Sequence, residues 1–330
     1  MDPTAKKNPG KILMFWAVLL SLAALLAGCA GSPLPEREIV RGILMEKEAQ
    51  GYAAMLLLAD TGQAEVNAWK MAAGTGATPA LALHAAEKQV NGTIFYGLTD
   101  FLCLPEGTNW QTATDIAAAV QEITAPSPEI SVVMAAPSQK TMAEQAAALY
   151  QEIPAVEKAC GLHCGIETVF ANRTAAAIPQ VDDGQYRMVL VAKGKPGNFT
   201  AQGSAAQLAA LLCGQTHRLA IDFAGGQASC RADASLWYRA AARPPGTLTV
   251  TLVLKNLRLQ VFEGASQAGG MALLREQLAQ DLARLTEYDA GTEADLFRLQ
   301  FWYALRTTRV STPANVRLTV YRADGEQGKD

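Results

Sequence analysis

The stretch EIVRGILMEKEAQGYAAMLLLA, residues 38–59, decides the fold at the start of this chain. Two apolar runs, Glu38–Glu46 and Tyr52–Ala59, flank polar turn residues, and this arrangement is typical of a β-hairpin. Further strands and helices then alternate: strands are predicted over 65–72, 93–98 and 129–135, and helices over 79–90, 112–123 and 141–151. Ser138 is the predicted N-cap of the last of these helices. The resulting order β-β-β-α-β-α-β-α predicts an α+β unit whose mixed sheet is covered by helices.

Beyond residue 175 the strands follow one another more closely. A strand over 186–191 and a helix from Ser204 to Cys213 precede strands predicted over 218–223, 228–231, 235–240 and 247–262. Thr247–Leu254 alternates polar and apolar residues, the period of a half-buried strand. Helices predicted over 271–286 and 293–305 and a closing strand over 316–321 complete the chain. The fold class is therefore α+β, with two or three domains of largely antiparallel and mixed sheets covered by helices.

The amino terminus carries an export signal. Lys6, Lys7 and Lys11 precede an apolar run over 12–26 that contains no charged residue, and positive charge followed by an apolar run is typical of a secretory signal peptide. The run is shorter than the roughly 20 residues that a membrane-spanning helix needs. It ends in Leu-Ala-Gly followed by Cys29, which resembles the lipobox of bacterial lipoproteins. We therefore predict a signal peptide over 1–28 and lipid attachment at Cys29.

These predictions divide the mature chain into three parts. Residues 29–37 contain Gly, Ser and two prolines and are predicted to be a lipidated tether between the membrane and the first strand. Two globular domains follow, over 38–174 and 175–325. The expected location is the extracytoplasmic face of a membrane.

Composition excludes two classes of protein. Half of the 330 residues are hydrophobic and the net charge is only −3, so the chain is expected to fold rather than to stay disordered. The basic residues form no cluster along the sequence, which argues against a nucleic-acid partner.

The cysteines leave three possibilities open. Cys29 is one of six cysteines, and an odd number therefore remains for pairing. Cys160 and Cys164 lie one helical turn apart with His163 between them. Buried thiols, a disulfide and a metal site are each compatible with this spacing, although no second Cys or His cluster accompanies it.

The residue patterns of common enzymes are missing. Gly74-Thr-Gly76 lacks the second glycine and the lysine of a phosphate-binding loop. Asp182 and Asp183 are adjacent, and neighbours in a strand point to opposite faces, so they are poorly placed to share a substrate atom. The three histidines are scattered: His84, His163 and His217. We therefore predict a protein without catalytic activity, cofactor or metal.

Several patterns resemble the Ger(x)C family of spore-germination lipoproteins, the C subunits of germinant receptors. After Cys29 come the strands REIVRGILME, residues 37–46, and Tyr52–Ala59, followed by the segments GATPALALHAAEKQVNGTIFYG and SPEISVVMA. Ala294-Asp-Leu-Phe-Arg-Leu299 lies where that family has an Asp-x-Phe segment, and Val316–Tyr321 matches its closing strand. Ala30-Gly31 replaces the usual Trp-Asp of the family, and Arg298 replaces a glycine.

The resemblance implies a function. The chain would be a non-enzymatic α+β lipoprotein on the outer face of the spore inner membrane, acting with two integral-membrane receptor subunits in germination. Cys29 is the one functional residue that carries over. Two other readings stay open: an extracytoplasmic solute-binding lipoprotein that serves a transporter, and a structural lipoprotein of the envelope. The closely spaced strands after residue 216 argue against the two parallel lobes of a solute-binding protein.

Overall fold

The computed structural model describes residues 37–59, 69–135, 141–160, 165–170, 175–182, 185–193, 199–201, 204–239, 246–262, 266–290 and 314–323. The predicted signal peptide and Cys29 lie outside the described residues. So do most of the tether and the helix predicted over 293–305.

The described elements are thirteen strands and six helices. The strands are β1 (Arg37–Glu48), β2 (Gly51–Ala59), β3 (Trp69–Gly76), β4 (Thr93–Phe95), β5 (Phe101–Leu104), β6 (Ser131–Ala135), β7 (Ala175–Asp182), β8 (Gln185–Ala192), β9 (Phe199–Ala201), β10 (Arg218–Phe223), β11 (Gly226–Arg239), β12 (Gly246–Val261) and β13 (Ala314–Ala323). The helices are α1 (Pro79–Glu87), α2 (Trp110–Thr124), α3 (Met142–Cys160), α4 (Ile166–Phe170), α5 (Ser204–Leu212) and α6 (Gln267–Ala290).

The first sheet is mixed. Its strand order is β3-β2-β1-β5-β6-β7-β8-β9, with β4 paired to the start of β1. The central strands β1, β5, β6 and β7 are parallel, whereas the hairpins β1-β2-β3 and β7-β8-β9 at the two sides are antiparallel. All four residues of β5 are buried, so this central strand is covered on both faces. The predicted α+β class and the predicted first hairpin are confirmed.

Close backbone packing explains the glycines of β3. A Cβ added to Gly76 would lie 2.5 Å from the backbone nitrogen of Ala82 in α1, and one added to Gly74 would lie closer still to the backbone nitrogen of Ala86. Helix α1 therefore lies directly on β3. The Gly-Thr-Gly segment is a surface for helix packing within the sheet.

The second sheet has the order β10-β11-β12-β13. The first three strands are antiparallel and β13 is parallel to β12. The two strands predicted over 228–231 and 235–240 are one continuous strand, β11, because the residues between them alternate between the two faces without a turn. Leu248, Val250, Leu252 and Leu254 are buried on one face of β12, where α5 and α6 cover the sheet.

The first sheet continues across the predicted boundary between residues 174 and 175. β7, which begins at Ala175, pairs in parallel with β6 through Met134 and Gln180. The Gln215 side chain, located between α5 and β10, also hydrogen-bonds to β7: its Oε1 accepts from the Ala177 N–H at 2.8 Å and its Nε2 donates to the Ala177 carbonyl at 2.6 Å. The division into two domains at this position stays a prediction.

The largest differences between expected and observed helix boundaries concern α3 and α6. The predicted cap Ser138 lies outside the described residues, and α3 is instead capped by a box in which Thr141 and Glu144 bond each other's backbone N–H groups at 2.9 and 3.3 Å. The helix continues through Pro154, which removes only one backbone hydrogen bond while Ile153 stays buried. Helix α6 begins four residues before the predicted start because Ser266 caps it, accepting from the Gly269 N–H at 3.1 Å.

A candidate binding groove around Arg41

A half-open groove of about 460 Å³ lies at the amino ends of the parallel strands β5 and β6. This volume is within the range of small-molecule sites, roughly 300–1,000 Å³. Ligands of parallel sheets usually bind at the other end, beyond the carboxyl ends of the strands. The lining combines charged, hydroxyl and apolar side chains, chiefly Arg41, Asp100, Glu129, Tyr150, Ile153 and Leu98.

A β-bulge places Arg41 at the groove. The β1–β2 pairing joins Val40 to Leu58 and Gly42 to Leu57, so Arg41 is an extra residue that has no counterpart in β2. A bulge of this kind bends the strand and redirects a side chain. The Arg41 carbonyl accepts a hydrogen bond from the Asp100 N–H at 2.8 Å, which fixes the extra residue against the start of β5.

Three residues from distant parts of the sequence meet here. Arg41 Nε donates to Asp100 Oδ2 at 2.6 Å, and its Nη2 donates to the Tyr150 hydroxyl of α3 at 2.9 Å. The Tyr150 ring packs edge-on against Trp69 of β3, with 4.5 Å between the ring centroids. The guanidinium therefore ties β1 to β5 and to α3.

The groove is not an anion site. Burial lowers the pKa of Arg41, but the hydrogen bond and charge of Asp100, together with Tyr150, outweigh burial and raise it above its ordinary value. The cation is thus permanent, but Asp100 neutralises it at close range and Glu129 adds a second carboxylate. The groove suits a small polar group that offers hydrogen-bond donors.

We expect Arg41→Met to lower the free energy of unfolding by about 1–2 kcal/mol. The variant removes the charge-assisted hydrogen bond to Asp100 and the hydrogen bond to Tyr150. The expected loss of stability is modest because the Arg41 side chain is 29% exposed, so water screens its charge. Chemical denaturation would measure it. Lys255→Met, which breaks the exposed pair with Asp233, is the control and should leave stability unchanged. Equal losses in the two variants would contradict a special role for Arg41.

The residues that the sequence singled out do not come together. Cys29 and His163 lie outside the described residues. His84 Nδ1 lies 2.9 Å from Glu87 Oε2 on α1, and His217 Nδ1 lies 3.6 Å from Asp233 on the other sheet. Among the described residues, no group of His, Cys, Asp and Glu side chains is arranged to hold a metal ion.

The acidic and cysteine pairs are only partly described. Asp182 ends β7, and Asp183 lies outside the described residues. Cys160 ends α3 and Cys164 lies outside, so the three possibilities for that pair stay predictions. Cys103 and Cys213 are buried, and Cys230 is half-buried in β11.

We expect Cys230 to be a poor nucleophile. Burial raises the pKa of its thiol from 9.0 to about 11, which reduces the thiolate near neutral pH by about a hundredfold. Its alkylation, followed by peptide mass spectrometry, should be slower in the native protein than in denaturant by about that factor. The native rate should still rise above about pH 9. A native rate that levels off there would contradict this prediction.

The sequence missed the groove, although two signals were present. Arg41 is the one charged residue within the stretch 39–45 of β1, and it lies directly before a glycine. Gly42 is required because an added Cβ would overlap the ring of Phe101 in β5. The partners Asp100 and Tyr150 carry no such signal. The parallel pairing of β1 with β5 brings Asp100 to Arg41, and the packing of α3 on β1 brings Tyr150 to it.

No protein-family model and no curated protein sequence matches this chain. Among solved structures, it is similar to the crystal structure of the GerBC protein. The alignment covers 86% of this chain and 97% of the other, with a TM-score of 0.43 and 10% sequence identity. At this level of similarity no residue role and no activity follows from the likeness. Within the described residues, no helix has the length and apolarity to cross a membrane.

Proposed function

We propose that this protein is a non-enzymatic lipoprotein subunit of a membrane germinant receptor that takes part in spore germination. The observation that carries the proposal is the amino-terminal pattern of lysines, apolar run and Leu-Ala-Gly-Cys29, followed by segments in the order of the Ger(x)C family. Cys29 holds the lipid, the tether over 29–37 links it to the first strand, and two integral-membrane subunits are the partners.

The Arg41 groove gives this subunit a place to receive a polar group. Its lining comes from β1, the starts of β5 and β6, and α3, so a guest there would contact several elements of the first sheet at once. The group bound in the groove is a side chain of a receptor subunit or a small solute.

The anchor is tested by Cys29→Ala. We expect this variant to remain uncleaved or to leave the membrane fraction, because the thiol that carries the lipid is gone. Fractionation and intact mass spectrometry of the mature protein would measure both effects. Cys230→Ala is the control and should stay lipidated, since it lies in β11. Normal maturation and membrane fractionation of Cys29→Ala would contradict the anchor.

The receptor is tested by purification from detergent-solubilised spore membranes of the native organism. We expect two multi-span membrane proteins to co-purify in comparable amounts. Recovery of a permease and an ATPase would contradict the receptor and would support the second reading, a solute-binding lipoprotein of a transporter. The size of the Arg41 groove is the observation that favours this alternative.

A further inference from the structure

No helix among the described residues covers one face of the second sheet. The burial of β12 alternates along the strand, and α6 lies on the side of Leu259 and Val261, which approach Gly270 at its start. The opposite side, here called the outer face, consists of the residues of β10–β13 that point away from α5 and α6. Pairing brings Trp237, Thr249 and Arg317 side by side across it.

The outer face is strongly basic although the chain as a whole has a net charge of −3. Six exposed cations lie on it, distributed over all four strands: Arg218, Arg231, Arg239, Lys255, Arg258 and Arg317. Its two carboxylates are Asp222 and Asp233.

The carboxylate of Asp233 on the outer face is paired with a neighbouring cation. Asp233 accepts a hydrogen bond from Lys255 at 2.5 Å. This bond, the charge of Lys255 and the nearby His217 and Arg231 lower the pKa of Asp233. The acidic residue nearest the centre of the outer face is therefore already neutralised, and most of the remaining cations face solvent.

Exposed aromatic rings accompany the charges. Trp237 is 62% exposed on β11 and Tyr321 is 58% exposed on β13, both on the outer face. Phe262, 60% exposed, follows β12 directly at its end. Among the described residues these are the large aromatic side chains with the greatest exposure. Tryptophan and tyrosine rings are enriched at the boundary between membrane and water, where a ring meets both apolar and polar surroundings.

We propose that the outer face docks on the surface of an anionic phospholipid membrane. Cations attract the lipid headgroups, and the rings of Trp237 and Tyr321 enter the interface. The inference rests on the proposed location at a membrane, but it does not depend on the lipid at Cys29 or on the receptor partners.

A lipid surface fits this face better than a protein does. The middle of the face consists of threonines, Thr249, Thr251 and Thr319, whereas the centre of a protein interface is usually apolar and tightly packed. The charges are spread over four strands without a shared pocket. A fluid layer of headgroups can meet such dispersed charges, but a protein partner would need carboxylates at each matching position.

The test is vesicle flotation of the chain that begins at Ala30. This chain retains every described residue and lacks the signal peptide and Cys29, so its binding reports on the protein surface alone. We expect it to float with vesicles in which about a third of the lipid is phosphatidylglycerol, and not with phosphatidylcholine alone. Raising the salt to about 0.5 M should release it, because screening shortens the reach of the charges.

Paired variants locate the contact. Arg258→Gln with Arg317→Gln removes two cations of the outer face, and we expect about 25-fold weaker binding, or about fivefold for each arginine. Arg275→Gln with Arg284→Gln removes two exposed cations of α6 on the other side of the sheet and should leave binding within about twofold. Trp237→Ala should also weaken binding, whereas Leu81→Ala, an exposed apolar residue of α1, should not.

The outcomes separate this inference from the proposed function. Equal effects of the two arginine pairs, or equal binding to neutral vesicles, would overturn membrane docking by the outer face. Membrane docking would also be contradicted if the chain did not bind anionic vesicles and instead bound an acidic protein through the same arginines. Vesicle binding by the chain from Ala30, together with normal maturation of Cys29→Ala, would leave the docking face supported and the proposed anchor wrong.

Discussion

Gln215→Met is expected to lower the free energy of unfolding by about 2–6 kcal/mol. The Gln215 side chain is 3% exposed and bonds both the N–H and the carbonyl of Ala177 in β7. Ala177 precedes the part of β7 that pairs with β6. The Gln215 amide therefore supplies the hydrogen bonds that a neighbouring strand would otherwise make with Ala177. Without it two buried backbone groups lose their partner, and each costs about 1–3 kcal/mol.

Gln207→Met in α5 is the matched control. Gln207 is also buried, but its Oε1 has no hydrogen-bond partner in the described structure. Replacing it by an apolar side chain of similar length removes a desolvated polar atom, so stability should stay within about 1 kcal/mol or increase. Urea denaturation of both variants measures the difference. If Gln207→Met lost as much as Gln215→Met, the loss would reflect general packing and not the bonds to Ala177.

Gly74→Ala is expected to lower the free energy of unfolding by about 1–3 kcal/mol, as overpacked sites do. The new methyl group would overlap the backbone of α1 at Ala85 and Ala86, and a backbone cannot move aside as a flexible side chain can. The helix must shift away from β3, which would loosen the buried contacts of Ala82 and Leu83.

Gly269→Ala in α6 is the control for this prediction. Its added Cβ would meet only the Ser266 hydroxyl at 3.3 Å, and alanine is the better helix former. We expect a change within about 0.5 kcal/mol, compared by thermal and chemical denaturation. A loss in Gly74→Ala no larger than in Gly269→Ala would mean that α1 does not depend on the glycine.

The sequence predicted those strands correctly whose own residues show a clear pattern of apolar and polar positions. β12 was recognisable because its leucines and valines alternate with threonines, and the first hairpin because turn residues separate two apolar runs. β10 was predicted with its observed ends, Arg218 and Phe223. These patterns depend on one buried face and are visible without knowing the neighbours.

The sequence did not predict elements whose formation depends on packing against other elements, such as β5 and β7. Phe101–Leu104 is a four-residue strand buried on both faces, so it shows no alternation, and β7 is rich in alanine. The capping box of α3 was readable as Thr141-x-x-Glu144, although Ser138 was favoured. The helix predicted to end at residue 151 continues through Pro154 to Cys160.

The groove was harder to predict from the sequence than the fold. Arg41 was visible as an unusual residue, but a β-bulge cannot be read from the apolar pattern of β1, since the extra residue only appears in the pairing with β2. Asp100 and Tyr150 reach Arg41 through parallel pairing and helix packing, across separations of 59 and 109 residues. Contacts this distant carry no periodic signal in one sequence.

The parallel pairing of β13 with β12 has a consequence for the order of assembly. β10, β11 and β12 follow one another as hairpins and can form as soon as each emerges, but β13 must return past α6 to reach its place. Until then the 16-residue strand β12 is an unguarded edge, and such an edge recruits strands from other molecules. When β13 pairs with β12, the open edge of the sheet shortens from 16 to 10 residues, and we expect a chain that ended before Ala314 to aggregate more readily.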